Sequence, residues 1–245
     1  MLLTSLGMNY YLYNQGAEYY RELNATRLDP LGLSAYPLEP EPNNSTGQTR
    51  VVFFGDSRAA SWPAPSSLDQ FEFINRGIGA QTSAQVLQRF EYHVAPLRPH
   101  ILLLQVGIND LKTLPLFPEQ QAALIENCKT NIQQIVTQST ALNATVILTT
   151  IFPTGNVPIE RRPFWSDEIS LAVDEVNAYI QSLAADKVIV FDSYSILADA
   201  EGDIRPEYAV DTLHINSLGY DALNQELITI LDMLQTNSQR PIAKS

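Results

Sequence analysis

Cysteine is almost absent. Cys128 is the one thiol among 245 residues, which excludes an internal disulfide. It lies in an apolar helical stretch with no activating neighbour in sequence, so it reads as a small core side chain rather than a nucleophile. Histidine is nearly as scarce: His93, His100 and His214 complete the list, and with one cysteine they offer no zinc-like cluster. Basic residues number 15 against 27 acidic ones, a net charge of −12. Nucleic-acid binding and docking on an anionic membrane both need a basic face, so the charge argues against both. The acidity itself reads as a source of solubility. No run approaches the roughly 20 apolar residues that cross a bilayer, so no transmembrane segment is expected. The start, Met1-Leu2-Leu3-Thr4-Ser5-Leu6-Gly7, lacks the basic segment and long apolar stretch of a signal peptide. A cytoplasmic location is the expectation, and an extracytoplasmic one would need an anchor removed upstream.

What is present can fill a core, since 45% of the residues are hydrophobic and a chain of this length suits one domain. Residues 1–49 differ from the rest. An aromatic-rich stretch from Tyr10 to Leu23 predicts one helix. Pro30, Pro37, Pro40 and Pro42 then lead into Asn43-Asn44-Ser45-Thr46-Gly47, a linker composition. These residues read as an arm that packs on the domain or carries it. Residues 50–236 form the expected domain, and 237–245 a tail.

Within the domain, apolar segments alternate with helical ones. Strands are expected at 51–55, 71–75, 101–106, 146–151 and 188–191, and helices at 83–94, 119–140, 167–184 and 217–234. That alternation predicts an α/β architecture with a five-stranded parallel sheet, covered on both faces through right-handed crossovers. Sites in such sheets lie at the carboxyl ends of the strands.

Four motifs fall in order along this frame: Val51-Val52-Phe53-Phe54-Gly55-Asp56-Ser57, Asn75-Arg76-Gly77-Ile78-Gly79-Ala80, Gly107-Ile108-Asn109-Asp110 and Asp211-Thr212-Leu213-His214. The first three begin at strand ends. Together they hold a nucleophile, oxyanion donors, a base and a group to orient it, which is the set that acyl transfer through serine requires. Taken alone, each has a plainer explanation. Ser57 would serve as a helix cap, Asn109 as a turn residue bonding its own backbone, Asp211 as a surface carboxylate and His214 as a satisfied buried histidine or one capping the helix after Asn216. His93 and His100 read as structural or solvated. Gly77-Ile78-Gly79 lacks the third glycine of a dinucleotide loop, because Thr82 stands there.

The ordered set resembles the SGNH (GDSL-type) hydrolase family of esterases and lipases, over about residues 51–234. The resemblance implies a flavodoxin-like three-layer α/β/α sandwich and a serine hydrolase acting on ester bonds. It implies Ser57 as nucleophile, His214 as base and Asp211 as its orienting group. The Ser57 N–H, the Ala80 N–H and the Asn109 side chain would then form the oxyanion hole. The family's glycine donor falls here on Ala80; alanine keeps the N–H but adds a methyl to the pocket, and Gly79 is the fallback donor. Asp56 and Asp110 are expected to bond loop amides. Arg58 pairs with a loop carboxylate or meets a polar or anionic part of the substrate. Phe164 and Trp165 line an acyl or sugar pocket, or staple the following helix. The spacing is also similar to that of platelet-activating-factor acetylhydrolase-like esterases, which implies a short acyl group, such as acetyl.

No metal or organic cofactor is implied, and the partner is a small-molecule or glycan ester. Acyl transfer to a glycan alcohol by the same triad is one alternative, and a catalytically silent binding module is the other. Turnover of a neutral ester should rise with pH through about 6–7, the ordinary range of histidine.

Overall fold

The structure is a computed structural model that describes residues 2–37, 47–66 and 68–238. Five strands form one parallel sheet: β1 (Thr49–Gly55), β2 (Phe71–Gly77), β3 (Ile101–Gln105), β4 (Thr145–Thr149) and β5 (Val188–Phe191). Their order is β2-β1-β3-β4-β5, the flavodoxin-like arrangement, with its reversal of direction between β1 and β3. Register brings Gly55 opposite both Gly77 and Gln105. The carboxyl ends of three strands therefore finish in one row.

Successive strand side chains point to opposite faces, and the core divides accordingly. Val52, Phe54, Leu102, Leu104, Val146 and Leu148 belong to one buried cluster. Val51, Phe53, Ile101, Leu103 and Ile147 belong to the other. Each such side chain, once fully buried, contributes about 1.5–3 kcal/mol before entropy is counted.

Helices among the described residues are α1 (Leu2–Leu28), α2 (Ser57–Ala60), α3 (Ser83–Gln88), α4 (Phe90–His93), α5 (Ile108–Leu111), α6 (Gln121–Ala141), α7 (Glu168–Ser182), α8 (Ser193–Leu197) and α9 (Ser217–Ser238). Helix α6 buries Cys128, Ile132, Ile135, Val136 and Ser139, and α7 buries Ile169, Ala172, Val173, Val176 and Ile180. Both stripes follow the helical period and cover the first face. Helix α9 covers the second with Leu223, Leu227, Ile230 and Leu231. Cys128 is a core residue, as expected, and burial pushes its thiol pKa up.

Several boundaries differ from expectation. The helix expected at 83–94 breaks at Arg89, whose backbone leaves the helical region while its side chain turns inward. The fourth strand ends at Thr149 rather than residue 151, because the Ile151 N–H and carbonyl are taken by the Asn177 carboxamide. Where a helix was expected between Tyr10 and Leu23, α1 runs further in both directions, from Leu2 to Leu28, and Tyr10, Tyr13 and Tyr20 on it are exposed. Of the expected linker, residues 38–46 lie outside the described residues, as do residues 239–245 of the expected tail. No helix among the described residues is long and apolar enough to cross a membrane.

Candidate active site

Strand β1 ends at Gly55, and Ser57 opens α2 two residues later. Asp56 caps this short helix, its Oδ1 accepting the Arg58 N–H at 2.9 Å. The cap leaves the Ser57 hydroxyl clear of that role, and its Oγ lies 2.9 Å from His214 Nε2.

His214 is carried by the loop ahead of α9. The loop closes as a narrow turn, with the Val210 N–H bonded to the His214 carbonyl and the Asn216 N–H to the Tyr208 carbonyl. Asp211 organises its interior. Its Oδ1 accepts the Leu213 N–H at 2.7 Å and the His214 N–H at 2.9 Å, and its Oδ2 lies 2.9 Å from His214 Nδ1. Partial burial acts to raise the Asp211 pKa, but these donors outweigh it and hold the carboxyl below the usual range. A carboxylate at Nδ1 favours the tautomer whose Nε2 accepts the serine proton. Asn216, not His214, caps α9, accepting the Leu218 and Gly219 N–H groups. The pair is open to solvent, with side chains 37% exposed for His214 and 46% for Asp211.

The segment after β2 lies alongside. A Cβ built on Gly79 would stand 4.0 Å from Ser57 Cβ. Ala80 follows with φ 62°, a left-handed conformation in an alanine. No acceptor among the described residues takes the Gly79 or Ala80 N–H. Asn109 sits in the first turn of α5, 4% exposed, and its Nδ2 donates to the Gln81 carbonyl at 3.0 Å. A carboxamide nitrogen carries two hydrogens, so one remains for another acceptor. Asp110 accepts the Ser83 N–H and hydroxyl, at 2.8 and 2.6 Å, and so ties the segment after β3 to the start of α3. Asp56 and Asp110 thus bond backbone amides beside the site, at the first turns of α2 and α3 rather than in loops.

Arg58 is turned away from solvent. It is fully buried, and its guanidinium donates to the carbonyls of Leu213, Phe152 and Pro153 at 2.8, 3.1 and 3.2 Å, lying over the Phe152 ring. The guanidinium's hydrogen bonds all go to backbone carbonyls, and its link to the Asp56 carboxylate is through charge rather than a hydrogen bond. Burial pulls its pKa down to about 10 against the opposing charge of Asp56. The reason is local: α2 is one turn long, and its second residue points inward beneath the His214 loop. Phe164 is exposed, while Trp165 packs on the core cluster that includes Ile169 and Val173. The stretch before them borders the site differently. Asn156, Pro158 and Arg161 line a cleft of about 430 Å³ together with Val210, Asp211 and Thr212.

Gln81, Arg89 and Lys112 drew no attention in the sequence. Gln81 is 4% exposed beside Ala80. Arg89 donates to the Gln81 Oε1, to the Arg76 carbonyl and to the Gly55 carbonyl. Lys112 lies one turn after Asn109, and burial lowers its pKa. The detectable signal was a charged or amide residue inside a segment otherwise facing the core. His93 is buried and His100 accepts the Arg50 N–H, so both are structural. Among the described residues no group of three histidine, cysteine or carboxylate side chains is placed to hold a metal ion.

The sequence model described as the GDSL-like lipase/acylhydrolase family matches residues 46–222. Among solved structures, the chain is similar to a provisionally named acylhydrolase from Bacteroides fragilis, with 27% identity over 82% of this chain and 93% of that one, at a TM-score of 0.61. A GDSL-like lipase from Bacteroides thetaiotaomicron shows 25% identity over 82% and 94%, at 0.63. A lipase/acylhydrolase from Enterococcus faecalis shares the fold at 20% identity over 75% and 95%, with a TM-score of 0.54. No curated protein sequence matches the chain.

Proposed function

This chain belongs to the GDSL-like lipase/acylhydrolase family, and we propose that it is a serine esterase in which Ser57, His214 and Asp211 act as the triad. The observation that carries this reading is the 2.9 Å contact between Ser57 Oγ and His214 Nε2, with the Asp211 carboxylate on the other ring nitrogen. His214 takes the hydroxyl proton as Ser57 attacks the ester carbonyl. The oxyanion that forms is held by the Ser57 and Ala80 N–H groups and by the Asn109 hydrogen not bound to Gln81. His214 then protonates the leaving alcohol, and water, activated in the same way, releases the acyl group. Residues 50–236 form the hydrolase domain on this reading, and 1–49 an arm.

A short acyl group, such as acetyl, fits the methyl that Ala80 brings beside the carbonyl. The cleft lined by Arg161 and Asp211 adjoins the triad's carboxylate and suits part of a larger alcohol, including a glycan.

The test is hydrolysis of nitrophenyl esters from acetyl to decanoyl by wild type and by Ser57→Ala. Wild type should prefer the shortest esters, and the variant should lose about 10⁴-fold or more. A long-chain optimum would replace the acetyl reading with a lipase-like one. A folded wild type inactive on every ester would overturn hydrolysis and favour acyl transfer or a silent site.

A further inference from the structure

The segment that follows α1 does not hang free. It crosses the loop that carries Gly79 and Ala80. Asp29 shapes it first, its carboxylate accepting the Leu33 N–H and the Ser34 N–H and hydroxyl. From that turn, backbone carbonyls face the domain. The Pro30 carbonyl accepts from Gln85 Nε2 at 2.8 Å, the Leu31 carbonyl from Gln81 Nε2 at 2.8 Å, and the Leu33 carbonyl from His93 Nε2 at 3.4 Å. Tyr36 donates its hydroxyl to the Gly77 carbonyl at 2.5 Å, with Arg76 stacked over its ring. Gly32 has φ +66°, and a Cβ there would stand 3.0 Å from the Ile78 side chain and 3.1 Å from Gln81 Nε2. A larger residue would be strained at that φ and would have to displace the ends of the Ile78 and Gln81 side chains.

Gln81 is where these contacts converge. Its Nε2 holds the arm, its Oε1 accepts from Arg89 at 2.5 Å, and its backbone carbonyl accepts from Asn109 at 3.0 Å. The neighbouring Ala80 holds a left-handed conformation that its Cβ disfavours. Such a conformation persists only where the surroundings over-determine it. On one side of the loop the surroundings are the domain itself; on the other they are residues 29–36.

We propose that residues 29–36 are a positioning strap for the oxyanion loop, acting through Gln81 on Ala80 and Asn109. The inference rests on the esterase reading above. The strap touches no reacting atom. It keeps the two donors at the separation that the developing oxyanion requires, and displacement of about 1 Å costs about 100-fold in rate.

The test uses the full chain with Gln81→Met, with the double variant Asp29→Ala/Tyr36→Phe, and with Tyr13→Ala on exposed α1 as the control. Turnover of nitrophenyl acetate, its pH profile and hydrogen exchange over residues 77–85 are measured. The first two proteins should lose about 10- to 100-fold in kcat, with KM changed by no more than about twofold. Their pH midpoint should be that of wild type, since the His214–Asp211 pair is untouched, and exchange over residues 77–85 should quicken. Tyr13→Ala should match wild type throughout.

Unchanged kcat would overturn the proposal, as would a loss that merely follows the folded fraction. A wild type without esterase activity would sink the esterase reading instead. Loop exchange would then decide the strap: faster exchange in the variants sustains its ordering role, and unchanged exchange overturns it.

Discussion

Replacing Arg58 by methionine would leave the buried carbonyls of Phe152, Pro153 and Leu213 without their donor, and Asp56 without the opposing charge that offsets its burial. Each orphaned group costs about 1–3 kcal/mol, more beside a buried charge. The expected loss is about 3 kcal/mol or more in urea unfolding, with a lower kcat in the molecules that remain folded because Leu213 adjoins His214. Arg58→Lys should fall between, since an ammonium cannot span the same fork of acceptors. Stability equal to wild type in the methionine variant would contradict the account. Asp56 carries a pH dependence of its own. Burial lifts its pKa from the ordinary 3.8 to about 6. A raised folded-state value favours folding below the ordinary pKa, and that contribution is lost as pH rises through about 6. Asp56→Asn keeps a capping side chain and removes the titration. It should gain on wild type by about 1 kcal/mol between pH 5 and pH 7, in urea unfolding at both values. An equal gap at both would show that Asp56 does not titrate there. The sequence singled out Ser57, Asp211, His214 and Asn109 because motif order names them. It did not place Arg58, whose acceptors lie 94, 95 and 155 residues along the chain.

Elements were legible where their period was strong. All five strands were expected, since apolar runs flanked by helical segments carry that signal, and β5 has the bounds that were read. The errors lie where a side chain overrides the local pattern, as Arg89 does between α3 and α4 and Asn177 does at the end of β4. Helices α5 and α8 went unread because four or five residues give no period. The end of β1 shows how tightly the elements constrain one another. Gly55 has φ +149°, and a Cβ there would lie 1.7 Å from the Gln105 carbonyl oxygen on β3. Gly55→Ala therefore requires β1 and β3 to separate at the point where the Ser57 turn begins. A loss of about 3 kcal/mol or more is expected in urea unfolding, and a loss under about 1 kcal/mol would mean that the strands yield easily.

At the scale of the whole molecule, the acidic balance and the α/β alternation were both readable; that the arm packs on the domain was one of two alternatives, and the contacts by which it does so were not readable. Carbonyls of residues 30, 31 and 33 make its contacts, and backbone carbonyls carry no sequence signature. Ser57 and His214 stand 157 residues apart in the chain. Between them lie four of the five strands, each paired in parallel and so through distant segments. Pairings of that kind form slowly, because long loops must close before any contact rewards them, whereas α6 and α7 can form locally within microseconds. On the esterase reading, a refolding chain would regain its helical signal well before its activity. Turnover then reports the closing step of assembly, the moment the far end of the chain returns to the serine.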